Sequence, residues 1–292
     1  MTTTPAVQET LEVPGATIAF DVHGPAPAPG LPRPLLLIGQ PMTAEGFGTL
    51  ASHFPDRTVL TYDPRGLGRS TRDDGSTEHR PEQQADDLHR LIEHLGGGPV
   101  DVFGSSGGAV AGLALVAAHP EDVATLVAHE PPVLPLLPDA DVVLAVSRKV
   151  TEVYHERGWG AGMAAFIAMT SVEGELPADF VLEVPDPAAF GLPTEDDGSR
   201  DDPLLSGVSA PVSGYRPDVA ALRAAGTRLV VAVGAASGHS MTARATVAVA
   251  EALGVEVTEF PGDHGGFLGG EFGQTGEPDA FAARLREVLG TT

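Results

Sequence analysis

The segment at residues 102–110, Val-Phe-Gly-Ser-Ser-Gly-Gly-Ala-Val, constrains the fold more than any other part of this chain. An apolar strand pattern leads into it, an apolar helix pattern leaves it, and Ser106 stands between Gly104 and Gly108. This G-x-S-x-G spacing is typical of a sharp strand-to-helix turn that presents a serine hydroxyl above the edge of a sheet. Glycine suits the flanking positions because a Cβ atom there would collide with neighbouring backbone. The sequence therefore predicts Ser106 as a nucleophile and the Gly107 N–H, at the start of the helix, as an oxyanion donor.

Strand and helix patterns alternate along most of the chain. Apolar runs typical of strands lie at residues 17–22, 34–38, 58–62, 99–103, 125–129, 228–233 and 255–260. Stretches with helical spacing lie at residues 44–53, 83–95, 107–119, 242–253 and 280–289. This alternation predicts an α/β fold with a mostly parallel sheet and helices on both faces. Ligands bind such sheets at the carboxyl ends of the strands, where Gln40, Ser106, Glu130 and His264 fall.

Residues 131–216 break the alternation. They begin with Pro131-Pro132, continue with helical patterns, and end in a stretch rich in Pro and Asp. We predict a helical cap at 131–216, inserted into a core formed by residues 1–130 and 217–292. A helical subdomain without a role in binding is the alternative. The predicted residues of an apolar substrate pocket are Met42, Tyr154, Trp159, Met163, Phe166 and Met169. The helical spacing of those in the cap is equally typical of a packed core.

Charge and composition exclude several classes of partner and site. Forty Asp and Glu residues against 17 Lys and Arg give a formal net charge of −23, which disfavours nucleic acid and anionic membranes as partners. The absence of cysteine excludes disulfides, a thiolate nucleophile and Cys-ligated zinc. The first ten residues lack a basic region followed by an apolar one, and no apolar run has the length of a membrane span. We therefore expect a soluble cytoplasmic protein.

A serine nucleophile needs a base, and His264 is the candidate. It lies on a glycine-rich loop, Pro-Gly-Asp-His-Gly-Gly at 261–266, directly after the last predicted strand. The alternative interpretation is an ordinary histidine on a surface loop. The other histidines form no H-x-H or H-E-x-x-H pattern, and His89 and His94 are five residues apart, so they do not share a helix face. The sequence predicts no metal site and no cofactor.

Taken together, three motifs resemble the α/β-hydrolase fold family: the Gly104–Ser106–Gly108 turn, the segment Tyr-Asp-Pro-Arg-Gly-Leu-Gly-Arg-Ser at 62–70, and the Gly-Asp-His-Gly loop. The resemblance extends over about residues 17–289. It implies a mostly parallel sheet of about eight strands with a cap inserted after the sixth. It also implies a structural role for the turn at 62–70.

The loop after the third core strand departs from the family pattern. Family members often carry His-Gly-x-Pro there, and this chain has Ile-Gly-Gln-Pro at 38–41. The resemblance makes the backbone N–H of Gln40 the second oxyanion donor. Because a backbone N–H does not depend on the side chain, the missing histidine leaves that donor in place.

The position of the triad acid also departs from the common pattern. Most serine members of the family carry the acid after the seventh strand, where this chain has Gly-Ala-Ala-Ser-Gly-His at 234–239. A subset, including some haloalkane dehalogenases, carries it after the sixth strand, and that resemblance implies Glu130 as the acid. The alternatives are a loop carboxylate at Glu130 and a Ser–His dyad completed by water or by Ser237. Asp263 directly precedes His264 and is not expected to reach its ring.

The sequence thus predicts a cofactor-independent serine hydrolase for a small, largely apolar carboxylic ester, lactone or thioester. Ser106, His264 and Glu130 would form the triad and pass through an acyl-enzyme. Dehalogenases and epoxide hydrolases of this fold use an aspartate nucleophile, which Ser106 is not. The alternatives are a cofactor-free haloperoxidase or perhydrolase and a non-catalytic ligand-binding protein of the same fold. The expected partner is a small-molecule substrate, and a homodimer is an assembly that the sequence allows.

Overall fold

The computed structural model describes residues 6–290. Its strands are β1 (Val7–Val13), β2 (Ala16–His23), β3 (Leu35–Ile38), β4 (Val59–Tyr62), β5 (Val100–Ser105), β6 (Val123–His129), β7 (Arg228–Gly234) and β8 (Val257–Phe260). Its α-helices are α1 (Gly48–Ser52), α2 (Pro81–His94), α3 (Gly107–Ala118), α4 (Ala140–Thr170), α5 (Ala210–Ser213), α6 (Val219–Ala224), α7 (Met241–Leu253) and α8 (Pro278–Leu289).

The strands form one eight-stranded sheet in the order β1-β2-β4-β3-β5-β6-β7-β8. The β1–β2 and β2–β4 pairs are antiparallel, and all later pairs are parallel. Successive residues of β3 enter different cores: Leu36 and Ile38 belong to the cluster under α2, α3 and α7, whereas Leu35 and Leu37 belong to the cluster under α1 and α8. This alternation is expected for a strand covered on both faces. The predicted mostly parallel α/β sheet is confirmed.

The first strand was not predicted from the sequence, because it lies at the edge of the sheet. β1 has the sequence Val-Gln-Glu-Thr-Leu-Glu-Val, and most of its residues are exposed. Such a strand lacks the continuous apolar run that marks the buried strands. It pairs with β2 through a tight turn at Gly15, whose φ of 74° is easily adopted only by glycine. The predicted helix at 44–53 is instead a 3₁₀ turn, Ala44–Phe47, followed by the short α1.

The segment between β6 and β7 contains the long helix α4. This range consists of two helical segments that meet at Gly158, where φ is 83° and ψ is −176° and the backbone is not helical. Residues with a Cβ atom rarely adopt this conformation, so glycine suits the position. Side chains of α4, including Val146 and Tyr154, pack with Ala245 of α7 in a third apolar cluster. No helix within residues 6–290 combines the length and apolar character that a bilayer span needs. The cap boundaries at 131 and 216 stay a prediction.

Candidate active site

Ser106 lies at the junction of β5 and α3, in a strained conformation. Its φ of 55° and ψ of −124° are unusual for a residue with a side chain. The neighbouring glycines make this turn possible. A Cβ atom at Gly104 would lie 2.8 Å from the Ala109 Cα, and one at Gly108 would overlap the Ile38 carbonyl. The sequence therefore folds locally so that the Ser106 side chain borders a cavity of about 360 Å³ at the carboxyl end of the sheet.

His264 reaches the same cavity from the loop after β8. Its Nδ1 atom lies 2.7 Å from Oε2 of Glu130, which follows the end of β6. The His264 side chain is 45% exposed, whereas the Glu130 side chain is 0% exposed. Within residues 6–290 the Ser106 hydroxyl has no hydrogen-bond partner. Serine–histidine bonds of hydrolytic sites commonly tighten only when substrate binds.

The buried carboxylate of Glu130 is fully supplied with donors. Oε1 accepts hydrogen bonds from the Gly234 N–H, at 2.9 Å, and from the Ser237 hydroxyl. Oε2 accepts a hydrogen bond from the Thr242 hydroxyl at 2.8 Å and also lies beside Nδ1 of His264. Burial opposes ionisation, but the hydrogen bond from His264 and the electrostatic interaction between the two groups outweigh it and lower the pKa of Glu130 to about 2.

The ionised carboxylate fixes the histidine tautomer. A carboxylate only accepts hydrogen bonds, so Nδ1 of His264 carries the proton that lies between the two groups. Nε2 of the neutral ring is then left with a lone pair that can take a proton. This contact holds the His264 ring in the orientation that a general base needs.

The other residues considered as partners of His264 make different contacts. Ser237, in the loop after β7, donates its hydroxyl proton to Glu130. Asp263 accepts a hydrogen bond from the Gly265 N–H at 2.9 Å and so stabilises the turn that carries His264. Ala235 and Ala236 donate their backbone N–H groups to the carbonyls of Phe260 and Gly262, which joins the two loops.

Two backbone donors flank Ser106. Gln40 and Gly107 both border the cavity, and a Cβ atom at Gly107 would lie 2.7 Å from the Gln40 carbonyl oxygen, so the two backbones are in close approach. Neither N–H finds a hydrogen-bond acceptor within residues 6–290. Buried N–H groups without a partner are rare in folded proteins. These two donors are therefore available to an oxygen atom of a ligand.

The Gln40 side chain is held by a polar network that sequence reasoning missed. Its Nε2 lies 2.6 Å from Nδ1 of His79, and its Oε1 accepts from Gln84 at 2.7 Å. Nδ1 of His79 also lies 3.1 Å from the Ser209 hydroxyl, and the backbone N–H of His79 donates to the Val208 carbonyl at 2.8 Å. Burial and the charge of Arg72 lower the pKa of His79 to about 4, so the ring is neutral and can accept from Gln40. No motif marks His79 or Gln84, because both act through tertiary contacts.

The cavity wall differs from the predicted pocket. Phe166 and Met169 border the cavity, but Met42, Tyr154, Trp159 and Met163 do not. The Trp159 Nε1–H donates to the Asp202 carboxylate at 2.9 Å, and the Tyr154 hydroxyl accepts from the Asp202 N–H at 3.1 Å. Met163 packs in the apolar cluster of α4, and Met42 packs against the core cluster under α1 and α8. Other residues of α4, of α5 and α7 and of neighbouring loops border the cavity in their place; they include Leu134, Val150, Leu204, Val212 and Met241.

One group of potential metal ligands lies far from this site. His89, His119 and Asp122 have ligand atoms within 4.8 Å of one another. His119 follows α3, whose 12 residues extend about 18 Å from Ser106. The two rings stack at 3.9 Å and 7°, and Nδ1 of His89 bonds Asp122 at 2.6 Å. Lone pairs of parallel rings do not converge on one ion, so this group is a hydrogen-bonded stack and not a preformed metal site.

The His129 ring lies 6.2 Å from that of His264 and is packed among aromatic side chains. Its ring is 0% exposed and its two ring nitrogens have no hydrogen-bond partner within residues 6–290. Phe103 and Phe281 pack against it at 5.9 and 5.3 Å between ring centroids. Burial lowers the pKa of His129 to about 4, so the ring is neutral at physiological pH.

We expect His129 to make the fold sensitive to acid. Between about pH 6.5 and pH 4 the unfolded chain binds a proton that the folded chain does not, so stability falls as the pH falls through this window. The loss between pH 7 and pH 4.5 is about 2–3 kcal/mol for this one group. We expect the free energy of unfolding of His129→Phe, measured with urea at pH 7 and pH 4.5, to fall between the two pH values by that much less than in the wild type. The same substitution at exposed His155 is the control, and equal acid losses in wild type and His129→Phe would contradict the expectation.

Comparison with known proteins agrees with this architecture. The family model described as alpha/beta hydrolase fold matches residues 35–196, more than half of the chain. The chain is 31% identical over 288 residues to the Bacillus subtilis (strain 168) protein "Uncharacterized hydrolase YraK", covering 96% of this chain and 95% of that one. Among solved structures, it is similar to a thermophilic esterase from Thermogutta terrifontis, with a TM-score of 0.64, 21% identity and 98% of both chains covered. It is also similar to the enol-lactonase from Burkholderia xenovorans LB400, with a TM-score of 0.61, 15% identity, and 97% of this chain and 100% of that one covered. With a matching family model and a relative at this identity over nearly its full length, the chain belongs to the α/β-hydrolase fold family and is a hydrolase.

Proposed function

We propose that this protein is a serine hydrolase that cleaves a carboxylic ester, lactone or thioester of a small, largely apolar substrate. The observation that carries the proposal is the 2.7 Å contact between His264 and buried Glu130, made at the cavity that Ser106 also borders. Similarity in fold to the thermophilic esterase and to the enol-lactonase supports this reaction class.

The geometry supports the following mechanism. Nε2 of His264 takes the proton of Ser106 while the serine oxygen attacks the substrate carbonyl carbon, and the N–H groups of Gln40 and Gly107 stabilise the resulting oxyanion. His264 then gives its proton to the leaving group, which leaves an acyl group on Ser106. A water molecule, activated in the same way by His264, releases the acid. Glu130 stays ionised throughout and stabilises the imidazolium that forms in each step.

The size and character of the cavity favour a small substrate. Its volume of about 360 Å³ lies near the lower end of the range for ligand sites, about 300–1,000 Å³. Much of its wall is apolar, with Leu134, Phe166 and Met241 among its side chains. An excess of acidic over basic residues disfavours nucleic acid as a partner.

Turnover by the purified protein tests the proposal. We expect saturable hydrolysis of p-nitrophenyl butyrate, followed by the release of p-nitrophenolate, and no peracid from acetate and hydrogen peroxide. Peracid formation in place of ester hydrolysis would assign the perhydrolase alternative. A folded protein that neither hydrolyses esters nor reacts with a fluorophosphonate would assign the non-catalytic alternative, because that reagent reports an activated serine.

A further inference from the structure

The cavity around Ser106 contains no cation that could pair with an anionic substrate. Of the described residues that border it, His264 alone has an ionisable side chain, and its Nδ1 is committed to Glu130. The remaining side chains of the wall are aliphatic, aromatic, thioether, amide or hydroxyl groups. An ionised carboxylate or phosphate placed here would lose its hydration without gaining a charged partner.

The nearby basic residues do not supply the missing cation. Arg148 and Lys149 of α4 follow the wall residue Ser147 directly, but both are exposed. The ammonium group of Lys149 pairs with Glu152 at 3.0 Å. The formal net charge of −23 adds a long-range repulsion of anions to this local absence.

Two hydroxyl groups on α4 can instead bind neutral oxygen atoms. Ser147 and Thr151 both border the cavity and, at i and i+4, lie on one face of the helix. Neither hydroxyl has a hydrogen-bond partner within residues 6–290. A hydroxyl group donates and accepts, so this pair suits a carbonyl, ether or hydroxyl oxygen.

We propose that the site selects neutral esters or lactones that carry an additional uncharged oxygen function, bound by Ser147 and Thr151, and rejects substrates with a carboxylate or phosphate near the scissile bond. This substrate class rests on the proposed hydrolase function of the same site.

A matched pair of substrates tests the discrimination against charge. p-Nitrophenyl methyl glutarate is neutral, and p-nitrophenyl hydrogen glutarate has the same chain with a terminal carboxylate. We expect kcat/KM for the neutral ester to exceed that for the anion by at least about 100-fold, with spontaneous hydrolysis subtracted. The ratio should persist in 0.5 M NaCl, where the Debye length is about 4 Å and long-range repulsion is screened. A ratio near one, or one that disappears in salt, would overturn the proposal.

A cation placed in the wall should reverse the preference. Ser147→Lys is expected to raise the ratio of anionic to neutral kcat/KM at least about tenfold, whereas Ser147→Met, of similar length without charge, should not. Thr151→Lys with Thr151→Met repeats the test on the next turn if the Ser147 variant does not fold. An unchanged ratio in a folded lysine variant would contradict the assignment of selectivity to this wall.

The hydroxyl pair has its own test. p-Nitrophenyl heptanoate matches the methyl glutarate in length but lacks its distal oxygens. The double variant Ser147→Ala/Thr151→Val should lower kcat/KM for the methyl glutarate about 3- to 10-fold relative to the heptanoate. Equal effects on both esters would remove the hydroxyls from substrate binding. Absence of turnover for every ester, with no fluorophosphonate adduct, would instead count against the hydrolase function itself.

Discussion

Replacing Ser106 with alanine is expected to reduce kcat/KM for p-nitrophenyl esters by roughly 10⁵- to 10⁶-fold, with the fold intact. The reason is that the oxygen that forms the acyl-enzyme is lost, while the oxyanion donors of Gln40 and Gly107 and the substrate cavity remain. Steady-state kinetics and circular dichroism of the purified variant provide the measurement.

The adjacent serine is the matched control for this substitution. Ser105 is the last residue of β5, is 2% exposed and does not border the cavity. Ser105→Ala should keep activity within about threefold, as substitutions outside a reacting group commonly do. Full esterase activity in Ser106→Ala would remove Ser106 from the mechanism.

The second large effect is expected for Glu130→Gln, which should lower kcat by roughly 10²- to 10⁴-fold with little change in KM. The imidazolium of His264 forms during the reaction, so the charge of Glu130 matters more in the transition state than in the bound substrate. A glutamine amide would also present an N–H₂ group to the donors that now surround the carboxylate, so we expect a stability loss of about 1–3 kcal/mol. Kinetics on the variant, with thermal unfolding to verify that it is folded at the assay temperature, measure both.

A second carboxylate beside His264 is the control for Glu130. Asp263 bonds only the backbone of its own turn, so Asp263→Asn should keep kcat within about threefold. Turnover close to wild type in Glu130→Gln would favour a Ser–His dyad instead of the triad.

The parts of the fold that were predictable are those with local signals. The buried strands appear in the sequence as continuous apolar runs, because both of their faces are covered. The turn at Ser106 is marked by flanking glycines, because neighbouring backbone comes too close for a Cβ atom there. The edge strand β1 has neither signal, since most of its residues face solvent. The helical patterns on either side of Gly158 were also predictable, because each marks a separate helical segment and the backbone is not helical at Gly158 itself.

The candidate site was predictable as far as chain order determines it. Carboxyl ends of parallel strands meet at one edge, so Ser106, Glu130 and His264 could be placed together before any side-chain geometry was seen. The residues of the cavity wall could not be predicted, because the face that α4 turns toward Ser106 depends on tertiary packing. Tyr154 and Trp159 have the apolar bulk of pocket residues, but their polar atoms bond Asp202. Aromatic side chains with a polar atom commonly find such a partner when buried.

The location of a covalent adduct tests the central claim most directly. The protein would be treated with a fluorophosphonate and digested, and the modified residue would be identified by tandem mass spectrometry, which separates Ser105 from Ser106. We expect one phosphonyl group per chain, on Ser106, formed much more slowly in Glu130→Gln because the general base is then poorly oriented. An adduct on any other residue, or no adduct in a protein that still hydrolyses esters, would contradict the assignment of Ser106, His264 and Glu130 as the catalytic triad.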